Sequence, residues 1–396
     1  MSQETQNKLD ALAQSYAGIS YDHITTYSCG DAPNGKFYRN YNQREVISAV
    51  PEARTGRIIN KICDELGIDY KDGNAWRINQ QDLNKIKQYF EIKRTGKVER
   101  KLTRAQVVLI GILKGGSGKT STTTLLATGI SSIPSRIYKT LVIDLDPQKT
   151  ASSQLVPNIQ VEDITIGDLM MHEGTDAEFE EKLSLSIKKT NFPNLDVIVS
   201  GDRDRGYDIY VREKESAAKD GEEYQCYKDL ERVIEAVRDQ YDIILIDTPP
   251  HFVAANLSAH YVAEHLIMPV RPSEYDWDSA GMYVSFLART YKVLRHLGHK
   301  GYKTTKLLIS SITPNSNAES RLSQKLRQAS GAANYFTSSI PRSDAIVACA
   351  EQRCTIFDMS LHEFKGTRSS FLKAQQAITP LVFEFELMIN EFEGKE

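Results

Sequence analysis

Short runs of consecutive apolar residues alternate with helical stretches over most of the chain. The runs are rich in β-branched side chains and fall at residues 107–113, 141–144, 195–200, 243–247, 265–270, 307–311 and 335–340. Uninterrupted apolar runs are typical of strands buried on both faces, and the helical stretches between them suit right-handed crossovers. The pattern predicts a large α/β domain built on a mostly parallel, doubly wound sheet.

The front of the chain is more polar and mainly helical in pattern. Residues 41–47 predict a short helix, Pro51 interrupts it, and residues 53–66 predict a second, amphipathic helix. Two short helices joined by a tight turn are typical of a helix-turn-helix, but helical hairpins without a DNA function are commoner.

Composition narrows the class of protein. The 396 residues suffice for two domains, and the net charge of -3 means that any nucleic-acid contact must come from local patches. One such segment, residues 93–104, carries six cations against one acid and is either an exposed linker or a phosphate-facing patch. The five cysteines form no CxxC pair, and no secretory leader or membrane-length apolar run occurs, so we expect a reduced, cytoplasmic protein.

A glycine-rich loop lies between the first predicted strand and the helical run at 122–133. It reads KGGSGKTS and comprises Lys114, Gly115, Gly116, Ser117, Gly118, Lys119, Thr120 and Ser121. The glycines let successive backbone N–H groups surround phosphate oxygens, and the helix N-terminus adds partial positive charge. Lys119 would reach the β- and γ-phosphates, and the Thr120 hydroxyl would ligate Mg²⁺. The loop therefore predicts binding of ATP or ADP with Mg²⁺.

Three acidic residues close predicted strands at the same edge of the sheet. Asp144 and Asp146 end the second strand, and Asp247 ends the strand at 243–247. In an open parallel sheet the carboxyl ends of the strands line the ligand crevice, so these acids should face the nucleotide. The period of two along a strand places Asp144 and Asp146 on the same side.

Three motifs, taken in order, resemble the deviant Walker A ATPases of the ParA/MinD family. They are KGGxGKT with its early lysine Lys114, DxDPQ at 144–148 and DTPP at 247–250, within a resemblance that spans residues 107–379. The strict Walker A pattern has glycine where Leu113 stands. The loop at 272–276 resembles a nucleotide-side loop of the family more loosely.

This resemblance implies a role for each matching residue. Lys114 would reach across a sandwich dimer to the partner's nucleotide, although a lysine in this place could instead act only in cis. Asp146 would position the attacking water. Asp144 would be an outer-shell Mg²⁺ partner, and Asp247 would hold Mg²⁺ through water.

Large ParA proteins carry a helix-turn-helix that binds their own operator, and they dimerise through a leading helix. The resemblance accordingly implies a dimerisation helix and linker at 1–30, a winged helix-turn-helix at 31–105 and the ATPase domain at 106–396. Operator contacts would come from Arg44, Arg54, Thr55 and Arg57. Non-specific nucleoid contacts would come from Arg342, Arg353, Lys365 and Arg368, with Lys373 nearby.

The function that we expect is an ATP-dependent partition ATPase, homodimeric on ATP, nucleoid-associated and stimulated by a ParB-type centromere-binding protein. Higher-order assembly on DNA stays open. Alternatives are a MinD-like membrane ATPase, which the acidic tail opposes, an iron-sulfur dimer, which lacks suitably placed cysteines, and a nucleotide-switched DNA-binding regulator.

Overall fold

A computed structural model describes most of the chain. The described residues are 6–16, 36, 38–73, 75–98, 102–218, 224–251, 253–331 and 333–392. The linker predicted at 17–30, and residues 99–101 of the cationic segment, lie outside them. Helix α1 spans 6–16, with exposed side chains throughout. It coincides with most of the predicted dimerisation helix, whose role stays a prediction.

An eight-stranded sheet forms the centre of the larger part of the protein. Its strands are β5 (Gln106–Ile110), β6 (Thr140–Asp144), β7 (Ile187–Lys189), β8 (Leu195–Ile198), β9 (Ile243–Asp247), β10 (His265–Val270), β11 (Thr304–Ile312) and β12 (Tyr335–Pro341), in the spatial order β12-β11-β10-β5-β9-β6-β8-β7. Every neighbouring pair is parallel except β7 with β8. The predicted doubly wound sheet is thus confirmed, and each of the seven predicted strands is present.

Helices cover both faces of this sheet. They are α5 (Lys119–Ser132), α6 (Thr150–Leu155), α7 (Ile166–Met170), α8 (Asp176–Ser186), α9 (Tyr207–Ala217), α10 (Tyr227–Val237), α11 (Ala254–Val262), α12 (Glu274–His296), α13 (Asn317–Ser330), α14 (Asp344–Glu351) and α15 (Arg368–Asn390). The charged segment predicted as a surface helix or loop at 202–223 contains a 3-10 turn, Asp202–Gly206, and then α9; residues 219–223 are outside the described part.

Alternate side chains of the central strand enter two separate hydrophobic cores. Val108 and Ile110 pack in the core that includes α5 and α15, whereas Val107 and Leu109 pack in the core on the opposite face. All four are fully buried. Burying an apolar side chain of this size contributes about 1.5–3 kcal/mol. This is why an uninterrupted apolar run, rather than an alternating one, marks the strand that carries the phosphate-binding loop.

The front module has a small core of its own. It contains β1 (Asn40–Tyr41), α2 (Gln43–Ala49), a 3-10 turn (Pro51–Ala53), α3 (Gly56–Leu66), β2 (Lys71–Asp72), β3 (Ala75–Trp76), β4 (Ile78–Asn79) and α4 (Gln80–Thr95). Strand β1 pairs with β4 and β2 with β3, both antiparallel. The buried apolar residues of α2, α3 and α4 form one cluster from Tyr41 to Ile86. The predicted domain boundaries at 30 and 105 stay predictions.

The second helix of the module begins later than predicted. The prediction of a helix from residue 53 was wrong, because Pro51–Ala53 forms a separate 3-10 turn and Arg54 adopts a left-handed φ of 53°. Helix α3 therefore starts at Gly56, where a Cβ would overlap the side-chain amide of Gln43 on α2. The absence of a side chain at Gly56 leaves room for the Gln43 side chain in its present position.

Buried polar contacts join the front module to the larger domain. Lys36 forms a buried ion pair with Asp358. On α4, Lys87 donates to the carbonyl of Ser132 at 2.8 Å, at the C-terminal end of α5. A lysine at this end of a helix satisfies a carbonyl that has no partner within the helix and complements the helix dipole. The helix that begins at the phosphate-binding loop thus ends on the front module.

The buried Lys87 should make stability depend on pH in a specific direction. Burial lowers the pKa of Lys87 to about 7, against the ordinary value of 10.5. Between these values the unfolded chain binds a proton that the folded chain has released, so the contribution of Lys87 to the free energy of unfolding rises with pH. From pH 7 to pH 9 the wild type should gain about 2 kcal/mol relative to Lys87→Met.

Urea unfolding of both proteins at the two pH values measures this difference. Lys85→Met is the matched control, because Lys85 lies on the same helix with an exposed side chain. Parallel changes in the wild type and Lys87→Met would show that Lys87 keeps an ordinary pKa in the folded protein.

Candidate nucleotide-binding site

The candidate site lies where three strand ends meet at the centre of the sheet. Strand β9 lies between β5 and β6, and its last residue, Asp247, is in register with Ile110 of β5 and with Asp144 of β6. After β5 the chain continues on one side of the sheet, and β10 later returns to the other side of β5. Such a reversal of strand order opens a crevice at the carboxyl ends of the strands.

The glycine-rich loop connects β5 to α5 at this crevice. Gly116 and Gly118 have left-handed φ values of 72° and 94°, which favour glycine. Gly115 and Gly116 are exposed, so their backbone faces the crevice opening. From β11, Ser310 donates to the carbonyl of Ser117 at 2.6 Å and fixes the loop from below. The loop is thus tied to the sheet at Ser117 and exposed to solvent at Gly115 and Gly116.

Lys119, Thr120 and Asp247 lie together at the start of α5. The Thr120 hydroxyl donates to one carboxylate oxygen of Asp247 at 2.8 Å, and Thr123 donates to the other at 3.1 Å. The Lys119 ammonium donates to the carbonyl of Lys114 at 3.0 Å. Burial lowers the pKa of Lys119, and the negative charges of Asp247 and Asp146 oppose this shift. A phosphate would provide a stronger acceptor for Lys119 than the carbonyl does.

Lys114 is held by an acid on a different element. Its ammonium forms a 2.5 Å ion pair with Asp276, which lies in the first turn of α12 and is itself nearly buried. Asp276 also accepts a short hydrogen bond from Ser273, the N-cap of α12. In this conformation Lys114 thus contacts its own subunit, and reaching a partner's nucleotide would require the ion pair with Asp276 to break.

The two acids of the DxDPQ motif occupy different positions. Strand β6 ends at Asp144, so the alternation expected to place Asp146 on the same side does not extend to Asp146, which lies in the following turn. Asp144 is fully buried and accepts hydrogen bonds from the backbone N–H and hydroxyl of Ser152. Asp146 is half-buried and accepts from the N–H of Gln148 at 3.0 Å.

Electrostatics in the crevice favour a cation. Burial raises the pKa of Asp144, and the charge of Asp247 raises it further. Burial also raises the pKa of Asp247, against the hydrogen bonds from Thr120 and Thr123. Two buried carboxylates close to one another are costly without a compensating positive charge. The hydroxyl of Thr120 beside Asp247, under an open loop of backbone donors, therefore fits Mg²⁺ brought by a triphosphate.

The residues predicted to touch DNA fall into two sets, one in the front module and one in the larger domain. Arg44, Arg54, Thr55 and Arg57 are exposed around α2 and the start of α3. In the larger domain Arg342, Lys365, Arg368 and Lys373 are exposed, whereas Arg353 is half-buried. Burial lowers the pKa of Arg353. The four front-module residues, and all of these cations of the larger domain except Arg353, are therefore accessible to DNA phosphates.

The cysteines and the last helix bear on the alternative functions. Cys63, Cys226 and Cys349 are buried free thiols, and Cys354 is a half-buried one. The last helix, α15, buries its apolar side chains in the core that includes α5. No helix in the described ranges is both long and apolar enough to cross a membrane.

Sequence reasoning missed Thr123 and Ser310, and it assigned no role to Asp276 although the loop at 272–276 was expected on the nucleotide side. Thr123 holds Asp247, Ser310 supports the loop and Asp276 pairs with Lys114. The spacing of Thr123 could have indicated its place in the site, because it lies one helical turn after Lys119 on the same face of α5. Ser310 and Asp276 come from elements far along the chain, and only the sheet order brings them to the loop.

Comparisons with known proteins agree with this geometry. A family model described as an AAA domain matches residues 105–297. Plasmid partition protein A of Escherichia coli is 26% identical over 300 residues, 74% of this chain and 74% of that protein. Sporulation initiation inhibitor protein Soj of Bacillus subtilis (strain 168) is 29% identical over 171 residues, 43% of this chain and 60% of that protein. A solved structure described as a partition protein has a TM-score of 0.65 at 20% identity, and the match covers 97% of this chain and 98% of that chain.

The parallel sheet and the phosphate-binding loop between β5 and α5 define a P-loop nucleoside triphosphatase. The match to the solved partition protein shows that the fold is shared over nearly the whole chain, front module included. Residues 105–297 thus match the AAA domain model, and the chain is similar over about three quarters of its length to a plasmid partition protein A.

Proposed function

We propose that this protein is a Mg²⁺-dependent ATPase that dimerises on ATP, binds DNA and drives the partition of a replicon. One observation carries the proposal. Thr120 is hydrogen-bonded to Asp247 at the start of α5, and Lys119 beside them donates to the carbonyl of Lys114 in the glycine-rich loop. The same group would hold ATP and ADP.

Each residue has a defined part in this proposal. The backbone N–H groups of the loop bind the phosphates, and Lys119 neutralises their charge. The hydroxyl of Thr120 ligates Mg²⁺, and Asp247 orients that hydroxyl and the surrounding water. Bound Mg²⁺ would neutralise charge on the β- and γ-phosphates. Asp146, half-buried beside the crevice, orients the attacking water.

Lys114 completes the site in trans. When two subunits meet face to face, the partner's nucleotide offers Lys114 a polyanion in place of the single carboxylate of Asp276. The triphosphate is a more highly charged acceptor for the Lys114 ammonium than the carboxylate of Asp276 is. Binding of ATP would therefore stabilise the dimer. Hydrolysis then removes the phosphate that held the lysine, and the ion pair with Asp276 can form again.

The front module gives the protein a second way to contact DNA. We infer that α3 enters the major groove of operator DNA and that the protein represses its own operon. The first residues of α3 support this, since Thr55 and Arg57 are exposed while Ile59 and Ile62 anchor the helix in the core. Exposed cations of the larger domain would add ATP-dependent, sequence-independent contacts. These DNA contacts would hold the protein on the nucleoid. A ParB-type protein would stimulate ATP hydrolysis and so release the protein from the DNA.

An electrophoretic mobility shift on the DNA upstream of the protein's own gene tests the operator proposal. Wild-type protein should shift this fragment in preference to a scrambled one, with an affinity that differs between ATP, ADP and no nucleotide. Arg57→Ala should weaken specific binding by about tenfold or more, since a good base contact is worth about 1–3 kcal/mol.

Arg212→Ala is the matched control, because Arg212 is an exposed arginine of the larger domain on α9. It should bind the operator as the wild type does. Equal shifts of the upstream and scrambled fragments by the wild type would rule out an operator-reading module, whatever the ATPase does.

A further inference from the structure

The nucleotide crevice contains a second cation at its rim, Arg271, in addition to Lys114. Arg271 directly follows strand β10, which pairs with β5 on the side opposite β9. Its guanidinium Nη2 lies 3.9 Å from where a Cβ would stand on Gly116. Gly116 is exposed and has left-handed φ, so the arginine reaches the open side of the phosphate-binding loop.

The position of Arg271 is fixed by its neighbours in the chain. Val270 before it is buried in the sheet, and Pro272 after it restricts the backbone. The N–H of Ser273 donates to the carbonyl of Arg271 at 2.9 Å, and Ser273 caps α12. Since α12 is a long helix packed on the sheet, the connection from β10 is short and firmly held at both ends. The arginine is thus presented to the loop from a rigid support.

The charge of Arg271 is not compensated within the described residues. No hydrogen bond, ion pair or ring contact is made by its guanidinium there, and its side chain is exposed. Two acids follow in the first turn of α12: Asp276 is occupied by Lys114 and Ser273, and the exposed Glu274 forms no ion pair with Arg271. Of the two cations at this rim, only Lys114 is paired with a carboxylate. A surplus of positive charge beside exposed backbone N–H groups is what a phosphate would neutralise.

We propose that Arg271 contacts the terminal phosphate of ATP bound in its own subunit and so makes the site discriminate ATP from ADP. The proposal rests on the nucleotide-binding function. Arg271 approaches Gly116 of the loop, and Asp276, which pairs with Lys114 of the same loop, lies five residues after Arg271. The planar guanidinium can donate two parallel hydrogen bonds to one phosphate, which a lysine cannot do. Arg271 and Lys119 would then hold the terminal phosphate from opposite sides.

Titration calorimetry with Mg²⁺ and either ADP or a non-hydrolysable ATP analogue tests the assignment. Arg271→Ala should weaken binding of the analogue by about tenfold or more, the range for a hydrogen bond between charged groups. Its affinity for ADP should change less than about twofold, because ADP lacks the phosphate that Arg271 contacts. Arg271→Lys should recover part of the loss through its charge alone.

Arg289→Ala is the control. Arg289 is also an exposed arginine, but it lies on α12, several turns from the phosphate-binding loop. It should leave both affinities unchanged. If wild-type protein binds neither nucleotide, the proposed function itself fails. If the wild type binds both and Arg271→Ala leaves their ratio unchanged, including when both affinities fall together, the assignment of Arg271 is wrong. If the alanine variant unfolds, the same ratio of affinities is measured for Arg271→Lys, whose folding is checked by circular dichroism. An unchanged ratio in that folded variant would also contradict the assignment.

Discussion

Lys119→Ala should reduce ATP hydrolysis by about a thousandfold or more, to the background of the assay. The ammonium of Lys119 is nearly buried at the start of α5, where it donates to the carbonyl of Lys114 at 3.0 Å. Removing it leaves the phosphates without their main neutralising charge inside a crevice that already holds buried carboxylates. Phosphate release from Mg·ATP, with DNA present, measures the effect.

Asp146→Asn is the informative contrast to this variant. The acid lies in the turn after β6 and forms no part of the Thr120–Asp247 group, so its loss should spare nucleotide binding. Hydrolysis should still fall by about 10²–10⁴-fold, since the group that orients the attacking water is missing. Normal turnover by either variant would remove that residue from the mechanism.

Mixing two inactive variants should restore activity if Lys114 acts in trans. Lys114→Ala and Lys119→Ala each lack one cation of every site. In a mixed dimer, one site combines Lys119 of one subunit with Lys114 of the other and is complete. With equal amounts and random pairing, about a quarter of all sites would be complete, and this is the upper limit because the Lys119→Ala subunit pairs only through the nucleotide of its partner. ATPase activity of the mixture should rise, up to that fraction of the wild type.

The same mixture excludes the opposite arrangement. If Lys114 serves the nucleotide of its own subunit, no mixed site has both lysines, and the mixture stays as inactive as its components. A mixture of Lys119→Ala with Asp247→Ala is the control, because Thr120 of one subunit contacts Asp247 of that same subunit. Every site in that mixture lacks one group, so no activity should return.

The strands of this fold were predictable because they are buried on both faces. An uninterrupted apolar run such as β9 is the direct consequence of a sheet covered by helices on either side. Strand β7 gave no such signal. Its three residues, Ile187–Lys189, carry two lysines and lie at the edge of the sheet, antiparallel to β8, where one side needs no partner.

The phosphate-binding loop and Asp247 were predictable for a similar reason, since each follows directly from a strand end. Contacts between distant elements were not. The pairing of Lys114 with Asp276 depends on β10 lying next to β5, and sequence order alone does not reveal that neighbour. The turn before α3 also escaped prediction, because the left-handed backbone of Arg54 is unusual for a residue other than glycine and has no signal in the sequence.

Sedimentation velocity with a non-hydrolysable ATP analogue and Mg²⁺ tests the central claim most directly, that a triphosphate bound at Lys119 brings two subunits together. The wild type should take up the analogue and move to a faster-sedimenting species than with ADP, while Lys119→Ala should sediment alike with analogue, ADP or no nucleotide. Absence of both uptake and any change in sedimentation of the wild type would contradict the claim.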